Sequence, residues 1–271
     1  MTAAQWLRAF GLEQPPFSKE IDSGQLWVPS SRQHLVDAIV EACHEHGHVL
    51  LTGEPGVGKT CILRAVRHRL PEAGFRLTYC CNATLGRRDF YRQLCLALGL
   101  NPKATAAAVF RGVTEHVERL STDKIHPAFL LDEAHLLQQQ VLDHLHILCN
   151  YEWDSRALLS LILVGLPELD TRLRLSRNRS LWSRIHTRLH LGEASPDDTA
   201  EYLDQRLHRA GRTTGGNPFD SDAIALMHEA ADGRLRDIDR IATDALKRAA
   251  KKKLKRVDRA LLAGLLDHQH D

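Results

Sequence analysis

Five short apolar runs punctuate the first two thirds of the chain: His48 to Thr52, Phe75 to Cys80, Pro127 to Leu131, Leu158 to Gly165 and Thr187 to Leu191. Between the first four, apolar positions recur at helical spacing. Strands alternating with helices predict a mostly parallel sheet covered on both faces, a three-layer αβα sandwich. After Leu191 the strand pattern stops. Ser195-Pro196-Asp197-Asp198 reads as an N-cap, a proline at the first helical position and acids in the first turn, opening a helix to about Ala210. Further helices are predicted from about Phe219, Leu235 and Asp258, and Gly211 to Pro218 is a loop among them. The expected plan is residues 1–46 as an N-terminal extension and first helix of the module, 47–191 as the sandwich, and 192–271 as a small all-helical domain with a basic C-terminal segment.

Composition narrows the class. Among 271 residues, 43% are hydrophobic, 26% charged and 6% aromatic, which excludes disordered, collagen-like and disulfide-scaffold chains. The longest apolar stretch, Ala157 to Leu166, contains Ser160 and falls well short of a membrane span. The N-terminus has no basic region followed by an apolar run, so no signal peptide is expected, no membrane contact, and a cytosolic location. Six cysteines without a CxxC pair read as reduced structural thiols, including vicinal Cys80 and Cys81. His44, Glu45, His46 and His48 straddle a helix end and a strand start, a spacing that does not converge on one metal ion. The net charge of +2 conceals an asymmetry: Arg240 to Ala260 carries nine Lys or Arg against two Asp. Such a run is either a solvated helix face or a contact for an acidic partner.

Between the first strand and the next helical pattern lies Gly53-Glu54-Pro55-Gly56-Val57-Gly58-Lys59-Thr60, which fits G-x-x-x-x-G-K-[ST]. Glycines there let successive backbone N–H groups point into one concavity at a helix N-terminus, where an anion is favoured. This segment, with Cys61 after it, is the candidate phosphate site for ATP: Lys59 reaches the β- and γ-phosphates and Thr60 ligates Mg²⁺. About 70 residues on, the apolar run Phe129-Leu130-Leu131 ends in Asp132-Glu133. Asp132 is the candidate Mg²⁺ ligand and Glu133 the group that orients or deprotonates the attacking water. Asp132 to His135 also spells DEAH, but helicases with that motif need two such α/β domains, and 271 residues with a helical end hold one. His135 either faces the γ-phosphate, couples to a partner or closes local packing.

Taken in order, Phe10 to Phe17, LLTGEPGVGKT, LLDEAH, Leu163 to Leu169, Leu181 to Leu191, His208 to Gly211 and Gly233 to Leu246 make the chain resemble the AAA+ ATPases. More narrowly, it is similar to the group uniting ExeA-type secretion ATPases with transposition ATPases of the TniB, TnsC and MuB kind. The resemblance implies a P-loop sandwich followed by a helical lid, and a homo-oligomer, ring or filament, with ATP at subunit boundaries. It assigns Arg184 as an arginine finger acting on a neighbouring subunit's γ-phosphate, with Arg179 and Arg188 as competitors. Arg236 becomes the second sensor on the lid, with Arg234 behind it. Where a polar first sensor is expected stands Leu166, which cannot hydrogen-bond through its side chain, so slow hydrolysis with ATP as an assembly switch is expected. Related oligomers line a central pore with the face carrying Arg87, Arg88 and Lys103, the candidate contacts to double-stranded DNA. The lysine-rich stretch from Lys247 to Arg256 grips phosphate backbone or docks on a transposase. The favoured function is an ATP-dependent transposition regulator that binds target DNA and recruits a transposase. The alternatives are an ExeA-like ATPase of envelope or secretion assembly, and a nucleotide-gated protein scaffold without DNA binding. Envelope relatives carry a membrane helix and a wall-binding region, whereas this sequence ends at Asp271, which favours the first.

Overall fold

In a computed structural model, residues 3–18, 27–80, 84–101, 105–151, 155–212 and 215–267 are described. Five parallel strands form one sheet: β1 (His48–Thr52), β2 (Phe75–Cys80), β3 (His126–Leu131), β4 (Ser160–Gly165) and β5 (Ile185–His190), in the order β2-β3-β4-β1-β5. Parallel neighbours require crossovers, and α3 (Lys59–Arg69), α4 (Arg87–Ala97) with α5 (Ala106–Thr122), α6 (Gln139–Leu148), and α7 (Glu168–Leu173) with α8 (Arg179–Trp182) supply them. The three inner strands β1, β3 and β4 are buried at every residue, which is why they read as continuous apolar runs. Of the edge strands, β5 alternates between covered and exposed positions, and β2 is half-buried or exposed everywhere but Thr78.

The described chain divides into two units by contact. One comprises His34–Glu54 and Ile62–Leu191: the sheet, its covering helices and α2 (Gln33–His44) from its second residue on. Its core joins Phe129, Leu131, Leu161 and Leu163 of the sheet to Phe90, Tyr91, Val113 and Leu145 of the helices. The histidines read against metal binding lie here. His48 accepts the Leu161 N–H at its Nδ1 (3.1 Å), and His46 stacks on His126 with ring centroids 3.9 Å apart. Burial among those rings drives the His126 pKa down to about 3, so it is a neutral core side chain bonded to Ser160 Oγ at 2.9 Å.

The other unit comprises Met1–Gln33, Pro55–Cys61 and Gly192–Asp271. It holds α1 (Ala3–Ala9), α9 (Pro196–Arg209), α10 (Ser221–Ala231), α11 (Leu235–Lys251) and α12 (Arg259–Asp267). The start of α9 carries a reciprocal cap: Ser195 Oγ accepts from the Asp198 N–H at 3.0 Å while Asp198 Oδ2 accepts from the Ser195 N–H at 3.1 Å. Chain order groups the N-terminal segment with the sandwich; its contacts place it here. Trp6, Leu7, Phe10 and Phe17 share a core with Leu203, Ile238 and Ala245. Arg206, buried on Phe17, donates to the carbonyls of Pro16 and Ser18, both at 2.6 Å. Trp6, Leu7 and Phe10 stand at helical spacing on and just beyond α1, but a helix of 7 residues is too short for its periodicity to announce this docking. No described helix is long and apolar enough to cross a membrane.

Candidate active site

The predicted phosphate loop runs from the end of β1 to the first residue of α3, Lys59. Two of its glycines are left-handed, Gly56 at φ 88° and Gly58 at φ 106°, a backbone that side-chain-bearing residues rarely adopt. Neighbours enforce the same choice: a Cβ at Gly56 would stand 3.2 Å from Arg236 Cβ, and one at Gly58 3.2 Å from Leu235 Cδ1. Val57, between them, is fully buried and pins the loop, while Lys59 is half-buried and Thr60 exposed at the start of α3. An exposed hydroxyl and an amine at a helix N-terminus suit a metal-bound polyphosphate.

Within that unit, the first turn of α11 meets the loop. The Arg236 N–H donates to Gly56 O at 3.4 Å, and the Arg236 side chain is exposed. Arg234 is committed elsewhere: its Nε donates to Ala231 O at 3.3 Å and lies 3.6 Å from Asp237. Of the two arginines, Arg236 is the one whose backbone touches the glycine loop. The loop is also held from behind by Arg32, a residue that no motif flags. Buried at 7% exposure, it donates Nη1 to Val57 O at 2.8 Å and Nη2 to Gly192 O at 2.9 Å. Its charge faces Asp198, whose Oδ1 accepts from Ser31 Oγ at 2.8 Å.

In the sandwich unit, β3 delivers Asp132 and Glu133. Asp132 Oδ2 accepts from the Tyr79 hydroxyl at 2.9 Å and Oδ1 from the Glu133 N–H at 2.9 Å, so its carboxylate is oriented from both sides. A carboxylate held in this way is the kind of hard oxygen donor that Mg²⁺ takes. Glu133 is left-handed (φ 53°, ψ 34°) and its side chain is about half exposed, at 51%. His135 follows in a short 3-10 turn (Ala134–Leu136) and packs on the end of β4: a Cβ at Gly165 would stand 3.1 Å from the His135 nitrogen and 3.2 Å from Nδ1. The side chain of Leu166 offers no polar atom at that end; its backbone N–H points to His135 Nδ1 at 3.4 Å.

Arg184 lies half-buried just before β5 and donates Nη1 to Ser180 O at 2.8 Å. Its competitors differ in setting. Arg179 is exposed at the start of α8, and Arg188 sits over Trp182, its guanidinium carbon 3.6 Å from the ring centre. Arg87 and Arg88 are exposed in the first turn of α4, and Arg87 Nη1 meets His144 Nε2 at 2.8 Å. Lys103 lies outside the described residues. The stretch from Lys251 to Arg256 is exposed.

Residues 40–173 match the family described as AAA domain. The chain is 33% identical over 242 residues to general secretion pathway protein A of Aeromonas hydrophila, covering 88% of this chain and 43% of that protein. It therefore spans less than half of that relative's length. Among solved structures, it is similar to the ORC2 protein of Aeropyrum pernix in its ADPNP–ADP complexes, with TM-score 0.70, 15% identity, and 94% of this chain and 71% of that one covered. It is also similar to Drosophila ORC bound to DNA, with TM-score 0.65, 18% identity, and 100% and 68% covered. The strand order, the glycine loop and these likenesses agree: residues 40–173 match the AAA domain family model, and the chain has the α/β P-loop fold of the AAA+ ATPases.

Proposed function

We propose that the protein is a slow, oligomerising ATPase that uses ATP binding to assemble on double-stranded DNA and there recruits a transposase. The loop between β1 and α3 supports the nucleotide part of this reading: its left-handed glycines shape a loop that ends on Lys59 and Thr60 at a helix N-terminus, a place that favours an anion. Residues 53–61 hold the phosphates with Arg236 as the second sensor, a role that its backbone contact to Gly56 supports. Thr60 and Asp132 would hold Mg²⁺, which when bound neutralises phosphate charge. Glu133 takes a proton from water as the water oxygen bonds to the γ-phosphorus and the bridging bond to ADP breaks, releasing ADP and phosphate. Arg184, supplied by a second subunit, faces the charge that develops.

DNA as the partner is supported by the exposed arginines 87 and 88, the basic stretch through Arg256, and the likeness in fold to an ORC bound to DNA. Fluorescence anisotropy on a labelled duplex across a salt series tests it. Binding should require ATP or a non-hydrolysable analogue and weaken steeply with salt, each neutralised phosphate adding about −0.9 to the slope of log K against log salt. Arg87→Ala with Arg88→Ala should flatten that slope and weaken all sequences about equally. Affinity indifferent to nucleotide, or absent at low salt with ATP, counts against it. A second reading, an ATPase of secretion assembly, is favoured by the 33% identity to general secretion pathway protein A, and it expects no DNA binding under any of these conditions.

A further inference from the structure

One nitrogen of His135 faces two groups it cannot serve together. Its Nδ1 lies 3.4 Å from the main-chain nitrogen of Leu166, a donor, and 3.4 Å from Oε2 of Glu133, an acceptor. With the ring proton on Nε2, the neutral imidazole accepts from Leu166 and turns a lone pair toward the Glu133 carboxylate. With the proton on Nδ1, it donates to Glu133 and gives up the Leu166 N–H. Exchange between the two forms leaves the net charge of the pair unchanged.

The surroundings make this a mechanical link and not a loose contact. The His135 side chain is only 15% exposed, its backbone and ring press on Gly165, and its carbonyl accepts from Arg172 Nη1 at 2.9 Å. Arg172 is in turn braced, its carbonyl accepting from Asn178 Nδ2 at 2.8 Å, and Asn178 Oδ1 accepts from Gln139 Nε2 at 2.6 Å. Glu133 is the more exposed member of the pair, a left-handed residue at the head of the 3-10 turn. A fixed ring with two proton arrangements beside a more exposed carboxylate has the form of a two-position device.

We propose that His135 is a positioning residue for Glu133: its ring either holds the carboxylate against the end of β4 or releases it to water, supplying there the polar coupling that the side chain of Leu166 cannot. This rests on the reading of Glu133 as the water-handling group.

Three variants separate polar coupling from packing. His135→Phe keeps a ring and removes both bonds; His135→Asn offers an acceptor and a donor at similar reach; Gly165→Ala crowds Leu169 and the backbone and ring of His135 without changing the chemistry of the ring. Phosphate release by His135→Phe should fall about tenfold or more, with ATP affinity within about twofold of wild type. His135→Asn should recover to within about threefold of wild type, and Gly165→Ala should fall between them. Long-range ¹H–¹⁵N NMR of the full chain reads the tautomer directly, and Glu133→Gln should move the His135 Nδ1 resonance toward the unprotonated position. The proposal is overturned if His135→Phe turns over like wild type, if His135→Asn is as slow as His135→Phe, or if the Nδ1 resonance ignores Glu133→Gln. A wild-type protein that binds ATP without hydrolysing it would refute the role of Glu133 instead, and the NMR measurement would still decide whether the two residues are coupled.

Discussion

Arg32 donates its Nη1 to the carbonyl oxygen of Val57 at 2.8 Å, so a buried cation holds the middle of the phosphate loop from behind. Burial lowers its pKa, opposed by the charges of Asp198 and Glu193, and the guanidinium stays protonated throughout the physiological range. Its second nitrogen ties the same point to Gly192, the first residue after the sandwich.

Arg32→Met keeps most of the side-chain volume and removes both hydrogen bonds, leaving the buried Val57 carbonyl, the half-buried Gly192 carbonyl and Asp198 without their cation. Stability should fall by about 2–4 kcal/mol, and nucleotide affinity should fall with it because Val57 loses its anchor. Urea unfolding and a fluorescent-nucleotide titration check the two effects. Unchanged affinity in a folded variant would show that the loop holds its shape without Arg32.

Asp239 gives a pH dependence of definite sign. Burial raises its carboxyl from 3.8 to about 6, opposed by the Tyr202 hydroxyl at 2.7 Å and by the charge of Arg206. The folded protein therefore holds this proton more tightly than the unfolded chain. The contribution of Asp239 is fully present below about pH 4 and is lost as pH rises through about 6. Asp239→Asn should be more stable than wild type by on the order of 1–2 kcal/mol at neutral pH, with the difference vanishing toward about pH 4. Urea unfolding of both proteins across that interval measures it, and a difference independent of pH would contradict the assignment.

Much of the sheet is legible in the chain. The runs at β1 and β2 match the observed strands residue for residue, and Ser195 and Pro196 mark the start of α9. The expectation at β5 is two residues late at its start and one at its end: exposed His186 separates buried Ile185 from the rest of the strand, and buried Leu191 continues the apolar signal past its last residue. Leu158 and Leu159 are buried like the strand that follows, so hydrophobicity alone extends β4 too early. The glycine loop and the acidic pair are local motifs, readable because their chemistry demands adjacent residues. Arg32 reaches Gly192 across 160 residues, and Tyr79 reaches Asp132 across 53. Contacts of that kind leave no pattern in a single chain, which is why the second layer of the site, including the hold of His135 on Leu166, emerges only from the fold.

Arg184 bears on assembly. If it completes the site of a neighbouring subunit, Arg184→Ala should leave the ATP affinity of the monomer nearly unchanged and abolish the rise in specific activity with protein concentration. Phosphate release over a range of protein concentrations, with the oligomeric state followed by light scattering, decides this. Specific activity independent of concentration in a monomeric wild-type protein would sink the shared site.

The most direct test compares Lys59→Ala with Glu133→Gln by fluorescent-nucleotide titration and phosphate release. Lys59→Ala removes a contact to the phosphates, and Glu133→Gln removes only the group that takes a proton from water. Lys59→Ala should lose nucleotide binding, while Glu133→Gln should bind ATP like wild type and lose turnover by about a hundredfold or more. Wild-type turnover by Glu133→Gln, or undiminished ATP binding by Lys59→Ala, would contradict these roles.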